Sequence, residues 1–265
     1  MSGPRVLLFG GLDPTGGAGL FADLEALSAV GASGWGMATA LTAQGPRGAR
    51  SAEPVALATL SAQLRSLLDG ARERPRAAKT GMLGTAAHAA ALARWLSRPP
   101  LSRLPLVVDP VLRASSGLAL FDAGRRSAGR ALQPLLERAT LATPNWPELE
   151  LLAGRSLGSE EEAVRAAREL PSRAVLVKGG HLPGAEAVDV LADRDRVLTL
   201  RAARIDTPHT HGTGCTYSAA IAARLARGDD LADAVRTAHA WVQRAIATAP
   251  GLGRGHGPLN HWARS

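Results

Sequence analysis

Short runs of apolar residues alternate along the chain with longer segments in which apolar residues recur at helical spacing. Residues 6–9 predict the first strand, and residues 18–30 predict the first helix. Further strands are predicted at residues 36–41, 76–80, 106–108, 140–142 and 174–177. This alternation is typical of an α/β fold with a mostly parallel central sheet and helices on both faces.

The C-terminal half adds a hairpin and two helices to this pattern. Residues 188–191 and 197–200 are apolar runs separated by a polar stretch, which predicts a hairpin at an edge of the sheet. Helices are predicted at residues 213–227 and 231–247. Because no linker, repeat or low-complexity tract divides the sequence, residues 1–265 are predicted to form one domain. Ligands of such sheets bind beyond the carboxyl ends of the strands, where functional residues are expected.

Composition narrows the classes of partner. The net charge is +8, but the basic residues are scattered and aromatic residues make up only 3%, so we expect no nucleic-acid partner. No apolar run approaches the about 18 residues of a membrane-spanning helix, so we expect no membrane partner. Residues 1–5 lack the pattern of a secretory leader, and a single cysteine cannot form an internal disulfide. Together these features predict a cytoplasmic protein.

Only two of the 31 basic residues are lysines, Lys79 and Lys178. A compact ammonium and a rigid guanidinium are not interchangeable where a phosphate must be reached through a narrow gap, so each lysine is a candidate functional residue. Lys178 directly follows the predicted strand at residues 174–177 and is the better placed of the two for binding phosphate. The role of Lys79 is left open.

A glycine-rich loop at the start of the helix predicted at residues 213–227 is the clearest candidate for chemistry. It consists of Gly212, Thr213, Gly214 and Cys215. The N-terminus of a helix carries unsatisfied N–H groups and a partial positive charge, and glycines allow an anion to approach the backbone closely. The same terminus is expected to lower the pKa of Cys215, so that its sulfur could accept a proton from a hydroxyl. The alternative is an ordinary glycine-rich helix start with a small buried cysteine.

Three carboxylates occupy positions where they need a partner. Asp23 projects from the edge of the apolar stripe of the first helix, so either a structural donor or a bound ligand must satisfy it. Asp109 ends a strand and Glu148 follows the segment at residues 143–145, which places both on the expected ligand face. Two carboxylates, completed by phosphates and waters, are an adequate set for Mg²⁺. The Asn-x-x-Glu pattern ending at Glu148 also fits a solvated helix start.

Eight segments carry motifs that, together, resemble one family. They are residues 11–19, 41–44, 79–83, 109–111, 143–145, 177–181, 211–215 and 251–258. With these motifs the chain resembles the ribokinase-like kinases, and among them the hydroxymethylpyrimidine and phosphomethylpyrimidine kinases of thiamine biosynthesis. The resemblance implies a single-domain ribokinase-like fold, a homodimer, and dependence on ATP and Mg²⁺. It also implies phosphorylation of 4-amino-5-hydroxymethyl-2-methylpyrimidine and then of its monophosphate.

The same resemblance implies roles for individual residues. The glycine loop is the implied anion hole, and Cys215 is the implied catalytic base, where related sugar kinases carry an aspartate. Gln44 would read the pyrimidine, since its amide offers a donor and an acceptor to the ring nitrogen and amino group. The remaining implied roles are substrate binding for Gly11, Asp23, Met82 and Val111, ATP binding for Lys178 and Asn145, and metal binding for Asp109 and Glu148.

Some positions depart from the family pattern, and two other functions remain open. The departures are Leu12, Ser115, His209 and Trp146. A pyridoxal kinase, or a kinase acting on both rings, is the nearest alternative, although residues 42–44 match the pyrimidine kinases more closely. A non-catalytic nucleic-acid-binding or regulatory protein on the same fold is the remote one, disfavoured because every implied catalytic residue type is retained. Trp262 and the basic C-terminal tail have no predicted role.

Overall fold

The computed structural model describes residues 3–45, 48–114, 116–179, 184–252 and 257–263. The strands are β1 (Arg5–Leu12), β2 (Ser33–Gly45), β3 (Gly48–Pro54), β4 (Ala77–Thr80), β5 (Gly84–Thr85), β6 (Leu106–Val108), β7 (Phe121–Asp122), β8 (Leu141–Ala142), β9 (Ala174–Val177), β10 (Glu186–Asp193) and β11 (Val197–Ala203). The helices are α1 (Gly19–Ala29), α2 (Leu57–Leu68), α3 (Ala86–Leu96), α4 (Ala128–Leu136), α5 (Trp146–Ala153), α6 (Glu160–Glu169), α7 (Thr213–Arg227) and α8 (Leu231–Ala247).

Nine of the described strands form one sheet in the order β11-β10-β9-β8-β6-β4-β1-β2-β3. Strands β2, β1, β4, β6, β8 and β9 run parallel, whereas β10 and β11 form an antiparallel hairpin at one edge and β3 pairs antiparallel with β2 at the other. The predicted mostly parallel sheet with an edge hairpin is therefore confirmed. Strand β3 and the small β5–β7 pair were not predicted.

Successive side chains of β1 point to opposite faces of the sheet, and each face carries a buried apolar cluster. Leu7 and Phe9 belong to a buried cluster with side chains of α2 to α6, while Val6 and Leu8 belong to a second cluster with α1, α7 and α8. Helices therefore cover both faces, as the sequence predicts. Among the described residues, no helix is long and apolar enough to cross a membrane. The carboxyl ends of the parallel strands open onto a large cavity.

Candidate active site

A cavity of about 590 Å³ lies where β1, β4 and β6 lead into their following loops. Every residue to which the sequence assigned a site role lines it, and this convergence was expected from the strand order. These residues are Gly11, Asp23, Gln44, Met82, Asp109, Val111, Asn145, Glu148, Lys178, Gly212, Thr213, Gly214 and Cys215. Residues separated by up to 204 positions in the chain, from Gly11 to Cys215, thus line one cavity.

The glycine loop forms the start of α7, as predicted. Gly212 is the residue before the helix and has φ +80°, and a Cβ there would overlap the carbonyl oxygen of Gly17. A Cβ on Gly214 would lie 3.0 Å from the Nζ atom of Lys178. The first turn of α7 contains no acidic side chain. Glycine is therefore required at position 212, a Cβ at position 214 would crowd the Lys178 ammonium group, and the positive end of the helix faces the cavity beside that group.

Cys215 lies in the first turn of α7, but the predicted lowering of its pKa is wrong. Burial raises the pKa of the thiol to about 11, although the charge of Lys79 and the backbone of Gly19 act in the opposite direction. The carboxylates of Asp23 and Asp109 add to the increase. Desolvation and two nearby negative charges thus outweigh the helix terminus, and the thiol is protonated at neutral pH.

Asp23 finds its partner inside the protein. Its two carboxylate oxygens accept hydrogen bonds from Lys79 Nζ at 2.7 and 2.8 Å, and both side chains are fully buried. Burial raises the pKa of Asp23 to about 6, even though the charge of Lys79 lowers it. The sequence left two possible partners for Asp23, a structural donor or a bound ligand. Lys79 is the structural donor. Lys79, whose role the sequence left open, thus forms a buried ion pair with Asp23. The substrate-binding role of Asp23 stays a prediction.

Asp109 and Lys178 form a second lysine–carboxylate pair. Lys178 Nζ donates to Asp109 Oδ1 at 2.8 Å, and the hydroxyls of Thr143 and Ser218 also donate to this carboxylate. Burial opposes ionisation of Asp109, but the charges of Lys178 and Lys79 hold its pKa below the usual range. Asp109 is therefore ionised, and Lys178 bridges it to the glycine loop.

Glu148 and Asn145 form the capping box that starts α5. The backbone N–H of Asn145 donates to Glu148 Oε2 at 2.8 Å, and the backbone N–H of Glu148 donates to Asn145 Oδ1 at 2.9 Å. Burial raises the pKa of Glu148 to about 7, and Asp109 adds to the increase while Lys178 lowers it. The solvated helix start that the sequence left open is contradicted, because only 7% of Glu148 is exposed.

The carboxylates fit a magnesium ion that relies mainly on phosphate and water. Among the described residues, no group of three histidine, cysteine or acidic side chains could hold a metal ion. Asp109 and Glu148 are buried, and the charge of Asp109 raises the pKa of Glu148, so a cation bound by this pair would relieve that repulsion. Two carboxylates with bound phosphates meet the needs of Mg²⁺.

Part of the cavity wall is apolar and closely packed. A Cβ on Gly11 would lie 2.7 Å from Met82 Sδ, so glycine is needed for the chain to pass this side chain. Met82, held through its carbonyl oxygen by the Thr39 hydroxyl, packs with partly buried Val111. These residues form walls of a kind suited to a flat ring.

Sequence analysis missed two side chains that contact Gln44. Gln44 Nε2 donates to Asp13 Oδ2 at 3.1 Å, and His211 Nε2 lies 2.8 Å from the same oxygen. Asp13 is only 3% exposed. Asp13 and His211 each fall inside a motif segment of the sequence, but 198 positions separate them, so periodicity gave no signal that they meet.

None of the positions that depart from the family pattern belongs to the glycine loop. Leu12 forms a bridge with Gly19, and His209 Nδ1 accepts a hydrogen bond from the backbone N–H of Gly257 at 3.2 Å. Trp146 is buried in the core cluster beneath α5. Three parts of the motifs and departures lie outside the described residues: Ser115, residues 180–181 of one motif, and residues 253–256 of another.

Comparisons with known proteins agree with this geometry. A model of the family described as phosphomethylpyrimidine kinase matches residues 13–260. The hydroxymethylpyrimidine/phosphomethylpyrimidine kinase of Rhizobium meliloti is 43% identical, over 97% of this chain and 97% of its own length. The structure of phosphomethylpyrimidine kinase from Clostridium difficile is 32% identical, with a TM-score of 0.77, and covers 92% of this chain and 99% of that one.

A second solved structure is similar over a still larger share of the chain. The pyridoxal kinase from Staphylococcus aureus in complex with AMP-PCP and pyridoxal is 28% identical, with a TM-score of 0.86, and covers 99% of this chain and 95% of that one. Its nucleotide is an ATP analogue. The full-length family match and the 43% identity decide the assignment: the chain belongs to the phosphomethylpyrimidine kinase family, and it is a phosphotransferase.

Proposed function

We propose that this chain transfers the γ-phosphoryl group of ATP to the hydroxyl of 4-amino-5-hydroxymethyl-2-methylpyrimidine, and then phosphorylates the monophosphate to the diphosphate. One observation carries this proposal: a single cavity brings together the glycine loop, both lysines of the chain and the amide of Gln44. The name of the Rhizobium meliloti relative supports the substrate, and the AMP-PCP in the Staphylococcus aureus structure supports the donor.

The residues that line the cavity have two separate tasks. The N–H groups at the start of α7, in the loop from Gly212 to Cys215, stabilise negative charge on the transferred phosphoryl group. Lys178 lies beside Gly214 and binds phosphate oxygens of ATP, with Asn145 lining the same cavity. Mg²⁺, held by Asp109 and Glu148, would neutralise phosphate charge when bound.

The pyrimidine lies against Gly11, Met82 and Val111, where Gln44 hydrogen-bonds its polar edge. In the first reaction Cys215 accepts the proton of the attacking hydroxyl, whereas the nucleophile of the second reaction is an ionised phosphate and needs no base. Because the pKa of Cys215 is about 11, only the small thiolate fraction can act at neutral pH.

Pyridoxal is the second candidate substrate, favoured by the TM-score of 0.86 to a pyridoxal kinase. Steady-state rates with the aminopyrimidine and with pyridoxal, each with Mg²⁺ and ATP, separate the two. We expect a higher kcat/KM for the aminopyrimidine. A higher value for pyridoxal would replace the proposed substrate, and no turnover of either ring would overturn the proposal.

Three further predictions belong to the same proposal. Residues 1–265 act as one domain, the protein is cytoplasmic, and it forms a homodimer. Strand β3 supports the dimer, because it is an edge strand whose residues are mostly exposed. Sedimentation of the purified protein as a monomer over the micromolar range would contradict the dimer.

A further inference from the structure

Asp13 is a buried carboxylate to which no role has been given so far. Its Oδ1 atom accepts hydrogen bonds from the backbone N–H and the hydroxyl of Thr15, both at 2.9 Å. Its Oδ2 atom lies 2.8 Å from His211 Nε2 and 3.1 Å from Gln44 Nε2. Four donors thus converge on a side chain that is only 3% exposed.

This arrangement keeps Asp13 ionised and therefore unable to donate. Burial alone would raise its pKa, but the hydrogen bonds from His211 and Thr15 hold the pKa below the usual range. An ionised carboxylate only accepts hydrogen bonds. The ring nitrogen of His211 that faces Asp13 consequently carries a proton, and it cannot accept one from Gln44 although the two nitrogens are 3.0 Å apart.

The orientation of the Gln44 amide follows from this. Turning the amide over would place its oxygen 3.1 Å from an anionic oxygen, with no proton between them. The NH₂ group therefore faces Asp13, and the amide oxygen is directed away from it. Among the described residues, the amide oxygen of Gln44 has no hydrogen-bond partner, and Gln44 lines the cavity.

We propose that Asp13 is a specificity-determining positioning residue: by holding the NH₂ group of Gln44, it makes the cavity present a hydrogen-bond acceptor to the ring edge. The inference rests on the proposed function. An acceptor at this place selects a ring that carries an amino donor. It disfavours a ring with only acceptors at that edge, such as the aldehyde and ionised hydroxyl of pyridoxal.

Asp13→Asn tests the inference, because the new side chain has the same shape and can supply a donor where Oδ2 now accepts. Gln44 can then turn over and present its NH₂ group to the cavity. Three pyrimidines serve as probes: the 4-amino compound, its 4-methyl analogue and its 4-methoxy analogue, which can only accept at that position. Their Kd and kcat/KM are measured with wild type, Asp13→Asn and Thr15→Ala.

Wild type is expected to prefer the 4-amino compound over the 4-methoxy analogue. In Asp13→Asn the ratio of their kcat/KM values is expected to shift towards the 4-methoxy analogue by about tenfold to a hundredfold. The methyl analogue should change least. Thr15→Ala is the matched control, since Thr15 contacts the other oxygen of Asp13 and should leave the ratio unchanged. An equal loss for all three compounds in Asp13→Asn would mean a purely structural role and would overturn the inference.

Three further outcomes are separable. If Asp13→Asn does not fold, as judged by circular dichroism, the Kd values of wild type decide. A Kd for the 4-methoxy analogue equal to that for the 4-methyl analogue would contradict an acceptor that faces the cavity. If wild type phosphorylates the amino compound while the ratio stays the same in Asp13→Asn, only the inference fails. If wild type neither binds nor phosphorylates the amino compound, the proposed function fails and the inference falls with it.

Discussion

Cys215, the proposed catalytic base, has a thiol that is protonated at neutral pH. Cys215→Ala should reduce kcat of the first phosphorylation by about 10² to 10⁴-fold, the usual contribution of a general base. The second phosphorylation should change only a few-fold, because its nucleophile is already ionised. Both rates can be measured separately by starting from the alcohol or from the monophosphate. Equal retention of both activities would contradict the base assignment.

The raised pKa of Cys215 makes a companion prediction about pH. Since the thiolate fraction increases with pH up to about 11, kcat of the first reaction in wild type should rise between pH 7 and 9. Cys215→Ala should lack this rise, and the second reaction should not show it. The same rise in the variant would assign it to another group.

Gly212 and Gly228 flank the same helix, α7, and both have positive φ. A Cβ at position 212 would overlap a neighbouring backbone carbonyl, whereas nothing lies within 4 Å of one at position 228. Gly228→Ala should therefore cost about 1–2 kcal/mol from its backbone conformation alone, with activity retained. Gly212→Ala should lose more stability and most of its activity. Denaturant unfolding and initial rates check both, and normal kinetics in Gly212→Ala would contradict the anion-hole role.

Glu148 should make stability depend on pH. Its pKa is about 7 in the folded chain against 4.5 unfolded, so the folded chain binds the extra proton and the contribution is fully present below pH 4.5. As pH rises to 7, wild type should lose about 3 kcal/mol relative to Glu148→Gln. Denaturant unfolding at several pH values measures this gap. The exposed Glu53→Gln is the control, and a constant gap for Glu148→Gln would contradict the raised pKa.

At the scale of elements, the C-terminal tail connects α1 and α7. His261 is buried, its Nδ1 lies 2.7 Å from Glu25 Oε2, and its Nε2 lies 2.9 Å from Thr216 Oγ1, one residue beyond Cys215. His261→Ala should destabilise the fold by about 1–3 kcal/mol, because the buried Thr216 hydroxyl loses its partner. It should also lower kcat, since the first turn of α7 is less firmly held.

Trp262 provides the matched control for His261, because it is adjacent in sequence and 78% exposed. Trp262→Ala should change the free energy of unfolding by no more than about 0.5 kcal/mol. Thermal unfolding and steady-state kinetics of the two variants make the comparison. Similar effects of both substitutions on the free energy of unfolding would mean that the contacts of His261 are not what makes the tail stabilise the fold.

Elements with strong local signals could be predicted from the sequence. Helices α7 and α8 have the predicted bounds because Gly212, Gly228 and Asp230 mark their ends by turn and capping chemistry. Strand β3 could not be predicted, since residues 48–54 lack an alternating apolar pattern and the strand exists through its pairing with β2. The two-residue strands β5 and β7 depend on each other in the same way.

The site shows the same division between local and long-range information. The sequence could place the glycine loop and Gln44 at the cavity because their positions are local to a helix start or a strand end. The pairing of Asp23 with Lys79 joins residues 56 positions apart, and the contact of Asp13 with His211 spans 198. Such contacts determine which carboxylates are satisfied within the protein. Burial, together with the carboxylates of Asp23 and Asp109, raises the pKa of Cys215, which local reasoning expected to be lowered.

At the scale of the whole molecule, one sheet separates two cores. Trp146 belongs to the cluster beneath α5, and Trp241 belongs to the cluster on the opposite face. Because alternating residues of β1 enter both clusters, neither core can be lost without exposing the shared strands. We therefore expect both faces to unfold together, as the single-domain prediction requires.

Two variants test this cooperativity, each retaining one tryptophan, either Trp146 or Trp241, with the other four replaced by phenylalanine. In each variant the fluorescence midpoint in denaturant is compared with the midpoint of far-UV circular dichroism for that same variant, so any destabilisation caused by the replacements cancels. Coincident midpoints for both tryptophans are expected of one cooperative unit. A fluorescence midpoint that precedes the dichroism midpoint for only one tryptophan would mean that its face unfolds separately, and residues 1–265 would then contain two folding units.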